Sequence, residues 1–334
     1  MKLIFHVGMG KTGSTTLQAA LAQNKASLAA ARIHYQGQWM GLIRPEFDLF
    51  AGFQSFLRQP PEGLKIAAQE LLDHAAKVSD ETGAQTILIS NEQYLENIPA
   101  LSEFFTLLAR QADLQIIIFV RPPATWLPSA YTQWGVTHKT NLGPVMPFGL
   151  MARQLMKQYD HVQQWRQLLG ARVTVRLYDE NTDAVEEFGH LIGVDLVSAS
   201  QRKQVRPPVS ETLMRAAYNN SHHQMVLPQA FNNMMRTSVP PQTPATLTAK
   251  FNTVFNYSEI PTILEENAET LNCLESEFGM NLTGRPAPAP PPFDLSSLTD
   301  EMVGRMLDLL CSQVRQIADL TARLDRLENT SVQK

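Results

Sequence analysis

The chain of 334 residues carries 28 basic and 32 acidic side chains, a formal charge of −4, and is 44% hydrophobic and 18% charged. That make-up belongs to a globular protein with a real core, long enough for one large α/β domain plus additions. The acidic balance argues against a dedicated nucleic-acid surface, and no apolar run approaches membrane-spanning length. Two cysteines, Cys273 and Cys311, make no disulfide framework. The N-terminus enters a strand directly, without the regions of a signal peptide, so the chain reads as cytoplasmic.

Lys2–Val7 is a short apolar run with β-branched and aromatic residues and predicts a buried strand. Gly8–Gly13 follows as a glycine-rich turn, and Ser14–Leu21 opens a helix with Leu17, Ala20 and Leu21 on one face. Strand, glycine turn and helix N-terminus together form an anion site, because unpaired backbone N–H groups and the helix dipole point at whatever sits there. The nucleoside-triphosphate loop, G-x-x-x-x-G-K-[ST], has its lysine immediately after the last glycine. Here Gly8 and Gly13 keep the spacing, but Ser14 comes next, and the lysine, Lys11, stands inside the loop.

Gln36–Pro61 is broken by glycines and prolines, yet Trp39, Met40, Phe47, Phe50, Phe53 and Phe56 make it too apolar for a simple loop. It reads as a small helical excursion packed on the body, or, more sharply, as one wall of an acceptor pocket. Glu62–Ser79 has helical spacing, and Thr86–Ser90 is a second buried strand, ending in Asn91-Glu92. A helix over Leu101–Ala109 precedes Leu114–Val120, the most strongly apolar strand candidate, which ends in Arg121-Pro122-Pro123. Pro123 suits the first turn of a helix carrying Thr125, Trp126, Ser129, Tyr131 and Trp134. A loop over Gly135–Gly149 holds His138 and Lys139; then come a helix over Met151–Leu169, a strand over Arg172–Tyr178 and a helix reaching Leu191. This alternation predicts an α/β fold: a doubly wound parallel sheet of the P-loop type, flanked by helices on both faces. Residues following Val7, Ser90 and Val120 then meet in a crevice beyond the strands' carboxyl ends.

Lys11-Thr12-Gly13-Ser14-Thr15-Thr16 resembles the 5′-phosphosulfate loop of the sulfotransferases that use 3′-phosphoadenosine 5′-phosphosulfate (PAPS). Arg121 and Ser129 have the R-x7-S spacing of that family's 3′-phosphate site, and the ending Tyr178-Asp179-Glu180 is also similar to its nucleotide core. The resemblance implies sulfuryl transfer from PAPS to a hydroxyl acceptor, a glycan being one candidate, with adenosine 3′,5′-bisphosphate as product and no metal. It places Lys11, Thr12, Gly13, Ser14, Thr15 and Thr16 on the 5′ side, with Lys11 neutralising charge on the bridging oxygen. Arg121 and Ser129 fall on the 3′-phosphate. Arg202 and Lys203, in the basic cluster Gln201–Arg206, either cover the nucleotide or belong to a solvated loop. An alcohol acceptor needs a base; Glu92, just past the second strand, is the candidate, with His138 as alternative. Gly10 and Pro122 depart from the family, many members of which have proline before the lysine and an acidic or polar residue after the arginine. Two rival readings remain: a kinase or other triphosphate enzyme, and a non-catalytic nucleotide-binding assembly protein.

Past Pro207 the resemblance fades into a mostly helical extension, with helices over Ser210–Ser221 and Ser258–Phe278 and a break over Thr237–Thr246. Arg285–Pro292 is a stiff polyproline stretch. Beyond it Val303, Leu310, Ile317 and Leu324 recur every seven residues, companioned by Met306, Leu320 and Leu327, which suits a coiled coil joining copies of the chain or an amphipathic helix packed on its own domain. The expected layout is a nucleotide-binding core over 1–200, its helical continuation over 201–284, a linker over 285–297 and a tail helix over 298–330.

Overall fold

The computed structural model describes residues 1–179, 181, 183–198, 209–220, 222–234 and 247–303, together with 306, 313, 317, 320 and 323. In chain order its elements are β1 (Lys2–His6), α1 (Ser14–Gln23), α2 (Lys25–Ala30), β2 (Ile33–Gly37), α3 (Leu49–Leu57), α4 (Pro61–Thr82), β3 (Thr86–Ser90), α5 (Ile98–Gln111), β4 (Asp113–Val120), α6 (Pro123–Tyr131), α7 (Phe148–Leu155), α8 (Lys157–Leu169), β5 (Val173–Leu177), α9 (Ala184–Ile192), α10 (Val209–Asn220), α11 (Pro228–Met234), α12 (Leu247–Phe255), α13 (Ile260–Glu266) and α14 (Ala268–Phe278). They fall into two compact units, one of residues 1–127, 153–205 and 261–287, the other of residues 128–152, 206–260 and 288–334.

The first unit is α/β. Its five strands are all parallel, in the order β2-β3-β1-β4-β5, with β1 at the centre. The centre is where an apolar run buried on both faces belongs, and Leu3, Ile4, Phe5 and Val7 are all buried. Alternate side chains feed two cores. Ile4 joins Leu88, Ile117 and Phe119 under Leu17 and Leu21 of α1 and Phe188 of α9. On the opposite face Phe5 meets Tyr94 and Phe105 edge-on at 5.7 and 5.1 Å, and Phe105 meets Trp165 of α8 at 4.7 Å. Each such fully buried side chain contributes about 1.5–3 kcal/mol. α1 packs on α9 over the first face, while α4, α5 and α8 pack in sequence over the second. Helices on both faces of a parallel sheet are compatible with a doubly wound fold.

Several expectations need correction. β2 was not among the expected strands; it is an edge strand in which Ile33 alone is fully buried, so no apolar alternation marks it. The helix expected over Met151–Leu169 is two helices, broken at Met156, and that over Ser258–Phe278 is likewise broken at Asn267. The expected Gly135–Gly149 loop starts late, because a π-helical turn over Thr132–Thr137 extends α6. Gln36–Pro61 folds as two short 3-10 turns and α3; Met40, Phe47, Phe53 and Phe56 are buried, and Phe53 and Phe56 pack on Tyr94 and Phe104. Cys273 is exposed on α14 and carries no disulfide.

α14 docks on α8 through Arg166–Glu277, at 2.6 Å, and through Thr270, which donates to Asp160 at 2.9 Å. In the second unit α10 packs on the π-helical turn and on α12. There the Lys139 ammonium is buried and donates to the carbonyls of Gly143 and, at 2.6 Å, His222. Glu180, Arg202, Lys203, the Thr237–Thr246 break, Cys311 and most of the heptad tail lie outside the described residues. Among those described, no helix is long and apolar enough to cross a membrane.

Candidate functional site

The glycine turn leaves the central strand without a gap in its bonding. Phe119 N donates to Gly8 O and Met9 N to Phe119 O, both at 2.8 Å, which carries the β1–β4 ladder past the end of the strand. The loop then closes on itself. Thr12 Oγ1 donates to Met9 O at 2.5 Å, and Ser14 Oγ approaches the same carbonyl at 3.4 Å. Both side chains are buried, so these hydroxyls brace the loop from within. Trp126 on α6 reaches across and donates its Nε1 to Gly10 O at 2.9 Å.

Two glycines are required here by backbone and by space. Gly8 has φ 122 and Gly13 φ 83, values that L side chains rarely adopt. A Cβ on Gly8 would lie 3.2 Å from Glu92 O; one on Gly13 would lie 3.1 Å from Ala184 Cβ and 3.5 Å from the Tyr178 ring. Glu92 therefore abuts the start of the loop, and Tyr178 and α9 abut its end. Lys11, between them, holds the left-handed region at φ 67 without being glycine. For an L residue that conformation costs about 1–2 kcal/mol, and such outliers concentrate at functional sites.

The resulting surface is positive. The first turn of α1 has no acidic residue, and the N–H groups of Ser14, Thr15 and Thr16 have no acceptor within the helix. Thr15 is exposed and Thr16 half-buried. Burial lowers the pKa of the Lys11 ammonium, and the nearby Arg121 charge lowers it further. An anion between two such cations would relieve both effects. Arg121 follows the last residue of β4; its Nε donates to Thr125 Oγ1 at 3.2 Å, and its carbonyl accepts from the Tyr159 hydroxyl at 2.6 Å.

Across the loop, β3 delivers Glu92. Asn91 caps the following 3-10 turn, Glu92–Asn97, by accepting from Gln93 N at 3.0 Å, and donates to Gln38 O at 3.2 Å. Burial and the Glu92 charge together push the Tyr35 hydroxyl up to about 12. Beneath, His6 and Ser90 face each other in register, joined at 2.9 Å between Nδ1 and Oγ. Burial holds the imidazole down at about 3, so His6 is neutral and belongs to the core.

The first unit thus brings together Lys11, Thr12, Gly13, Ser14, Thr15, Thr16, Glu92 and Arg121 from the ends of β1, β3 and β4. Ser129 and His138 belong to the second unit, and Arg202 and Lys203 lie outside the described residues. Gln18, whose Nε2 donates to Glu92 Oε2, Tyr35 beside Glu92, and Trp126 are not flagged by any local motif; their partners are remote in sequence. No group of three or more His, Cys, Asp or Glu side chains among the described residues is placed to hold a metal ion. No protein-family model matches the chain, and no curated protein matches it.

Proposed function

We propose that the chain is a P-loop-type sulfotransferase, acting in the cytoplasm, that moves a sulfuryl group from PAPS to a hydroxyl acceptor, glycans among the candidates, and releases adenosine 3′,5′-bisphosphate. The observation that carries this reading is Lys11 itself: a left-handed residue within the loop, close enough to Arg121 for their charges to interact, at the positive end of α1. A triphosphate loop would place its lysine after Gly13. The donors on this side are N–H groups and cations, a set that suits a nucleotide with anionic groups at both its 3′ and 5′ ends.

In this reading the α1 amides and Arg121 bind and orient the nucleotide. PAPS, when bound, supplies the activated sulfuryl group. Lys11 stabilises the negative charge that grows on the leaving oxygen. A carboxylate oxygen of Glu92 takes the acceptor's hydroxyl proton; its place against Gly8 favours it over His138 as base. No metal ligand is needed in this scheme. We further assign the tail to pairing between copies of the chain, since Val303, Met306, Ile317 and Leu320 are exposed at heptad spacing. Light scattering after deletion of 298–334 should show a lower mass; an unchanged mass with a collapsed melting temperature would assign that helix to its own domain.

Calorimetry tests the nucleotide. Adenosine 3′,5′-bisphosphate should bind without magnesium and more tightly than adenosine 5′-phosphate by about 1.5–3 kcal/mol, the scale of one charge-assisted contact. Equal affinities, or tight binding of magnesium-ATP, would overturn the proposal.

A further inference from the structure

Gln18 lies on α1, just beyond the loop, and is 8% exposed. Its carboxamide Nε2 donates to Glu92 Oε2 at 2.9 Å and to the Ser90 carbonyl at 3.2 Å. Both partners are acceptors, which fixes the nitrogen end of the amide. The two bonds do different things. The one to Ser90 ties the amide to the end of β3, so that it cannot simply follow the carboxylate. The one to Glu92 fixes a side chain that otherwise has several rotatable bonds and partial solvent contact.

The donor is also neutral. A lysine or arginine here would hold the carboxylate equally well but would cancel the charge that makes it basic. An amide orients one oxygen, Oε2, and leaves Oε1 with its acceptor capacity. The helix that presents its N-terminus to an anion therefore also carries the group that fixes the carboxylate beside it. A displacement of α1 moves both together.

We propose that Gln18 is a positioning residue, holding Glu92 in register with the phosphate loop for proton abstraction from the acceptor. The role rests on the reading of Glu92 as base in sulfuryl transfer. It assigns Gln18 no contact with either substrate.

The test uses the full chain and three variants: Gln18→Met, which keeps length and removes the donor, Glu92→Gln, and the double variant. PAPS turnover is measured over a panel of hydroxyl acceptors, with calorimetry of adenosine 3′,5′-bisphosphate and melting curves beside it. Gln18→Met should lower kcat about tenfold to a hundredfold, the scale of a small misplacement at a reacting centre, with nucleotide affinity and acceptor KM within about twofold of the parent. The double variant should be no more than about twofold slower than Glu92→Gln, because Gln18 acts through Glu92. If Gln18→Met does not fold, Gln18→Asn, one methylene too short to reach, should show the same loss of kcat. Parental kcat in these variants, losses that multiply in the double variant, or a fall in nucleotide affinity matching the fall in kcat would each overturn the role of Gln18 and leave the sulfotransferase reading standing. A parent protein that neither binds adenosine 3′,5′-bisphosphate nor turns over PAPS would overturn that reading, and this role with it.

Discussion

The indole of Trp126 donates to the Gly10 carbonyl across 2.9 Å, joining the helix that follows Arg121 to the loop that contains Lys11. Neither partner is exposed, so the bond is made without competition from water. Trp126→Phe keeps a ring in place and removes the donor. Leaving a buried carbonyl unpaired should cost about 1–3 kcal/mol of stability. Affinity for adenosine 3′,5′-bisphosphate should fall at the same time, because the loop loses its outer brace. Melting curves and calorimetry on the one variant check both.

Lys11 and Arg121 should separate in their kinetics. Lys11→Ala should lower turnover by about 10²–10³-fold, the scale of a lost group that stabilises charge in the transition state, with a smaller effect on nucleotide binding. Arg121→Ala should weaken binding by about 1.5–3 kcal/mol and spare more of kcat. Steady-state kinetics beside calorimetry on each variant decides, and a loss of binding alone in both would refute the division. Lys11→Gly should melt no lower than Lys11→Ala, since glycine meets φ 67 without strain.

The lowered proton affinity of Lys11 gives nucleotide binding a pH dependence. The ammonium form holds a bound anion somewhat more tightly than the neutral amine, so affinity falls modestly as pH rises through the Lys11 pKa. Burial and Arg121 place that pKa below the ordinary 10.5, so the decline should begin at lower pH than for an unperturbed lysine. Lys11→Arg should abolish the decline, because guanidinium keeps its proton throughout. Titration calorimetry across the alkaline range reads the effect directly.

His6 makes a second pH prediction, on stability. Its folded pKa, about 3, lies below the ordinary 6.5, so the unfolded chain takes up a proton that the folded chain refuses. The native state is therefore fully favoured above pH 6.5 and loses that advantage as pH falls toward 3. The loss approaches about 5 kcal/mol at its limit, at 1.36 kcal/mol per unit. Denaturant unfolding of the parent and of His6→Phe at stepped pH should show a shallower acid slope in the variant.

Much of the sheet was legible because parallel strands buried on both faces read as continuous apolar runs. β1, β3 and β4 carry that signature, β5 at the edge shows instead the alternation of Val173 and Val175 with Thr174 and Arg176, and the loop following β1 announces itself by Gly8, Gly13 and the helix start at Ser14. β2 escaped notice: His34, Tyr35 and Gln36 are only half-buried, and Gly37 ends it, so neither alternation nor a run was there to read. Gln18 was illegible for another reason. It is one polar residue among Leu17, Ala20 and Leu21 on the buried face of its helix, and its meaning comes wholly from Ser90 and Glu92, partners 72 and 74 residues away. The break at Met156 has no proline or glycine to signal it.

The central place of β1 has a consequence for how the chain is made. Its neighbours are Thr86–Ser90 and Asp113–Val120, both later in the chain, so β1 leaves the ribosome well before either of its partners. Until then Leu3, Ile4 and Phe5 form an exposed, uncharged, β-prone segment on a growing chain, the kind of stretch that associates with its own copies. Synthesis at about 5–20 residues per second leaves that segment waiting for several seconds. A chaperone that holds the nascent β1 segment, or a slowed stretch of translation after residue 120, should therefore raise the yield of folded protein.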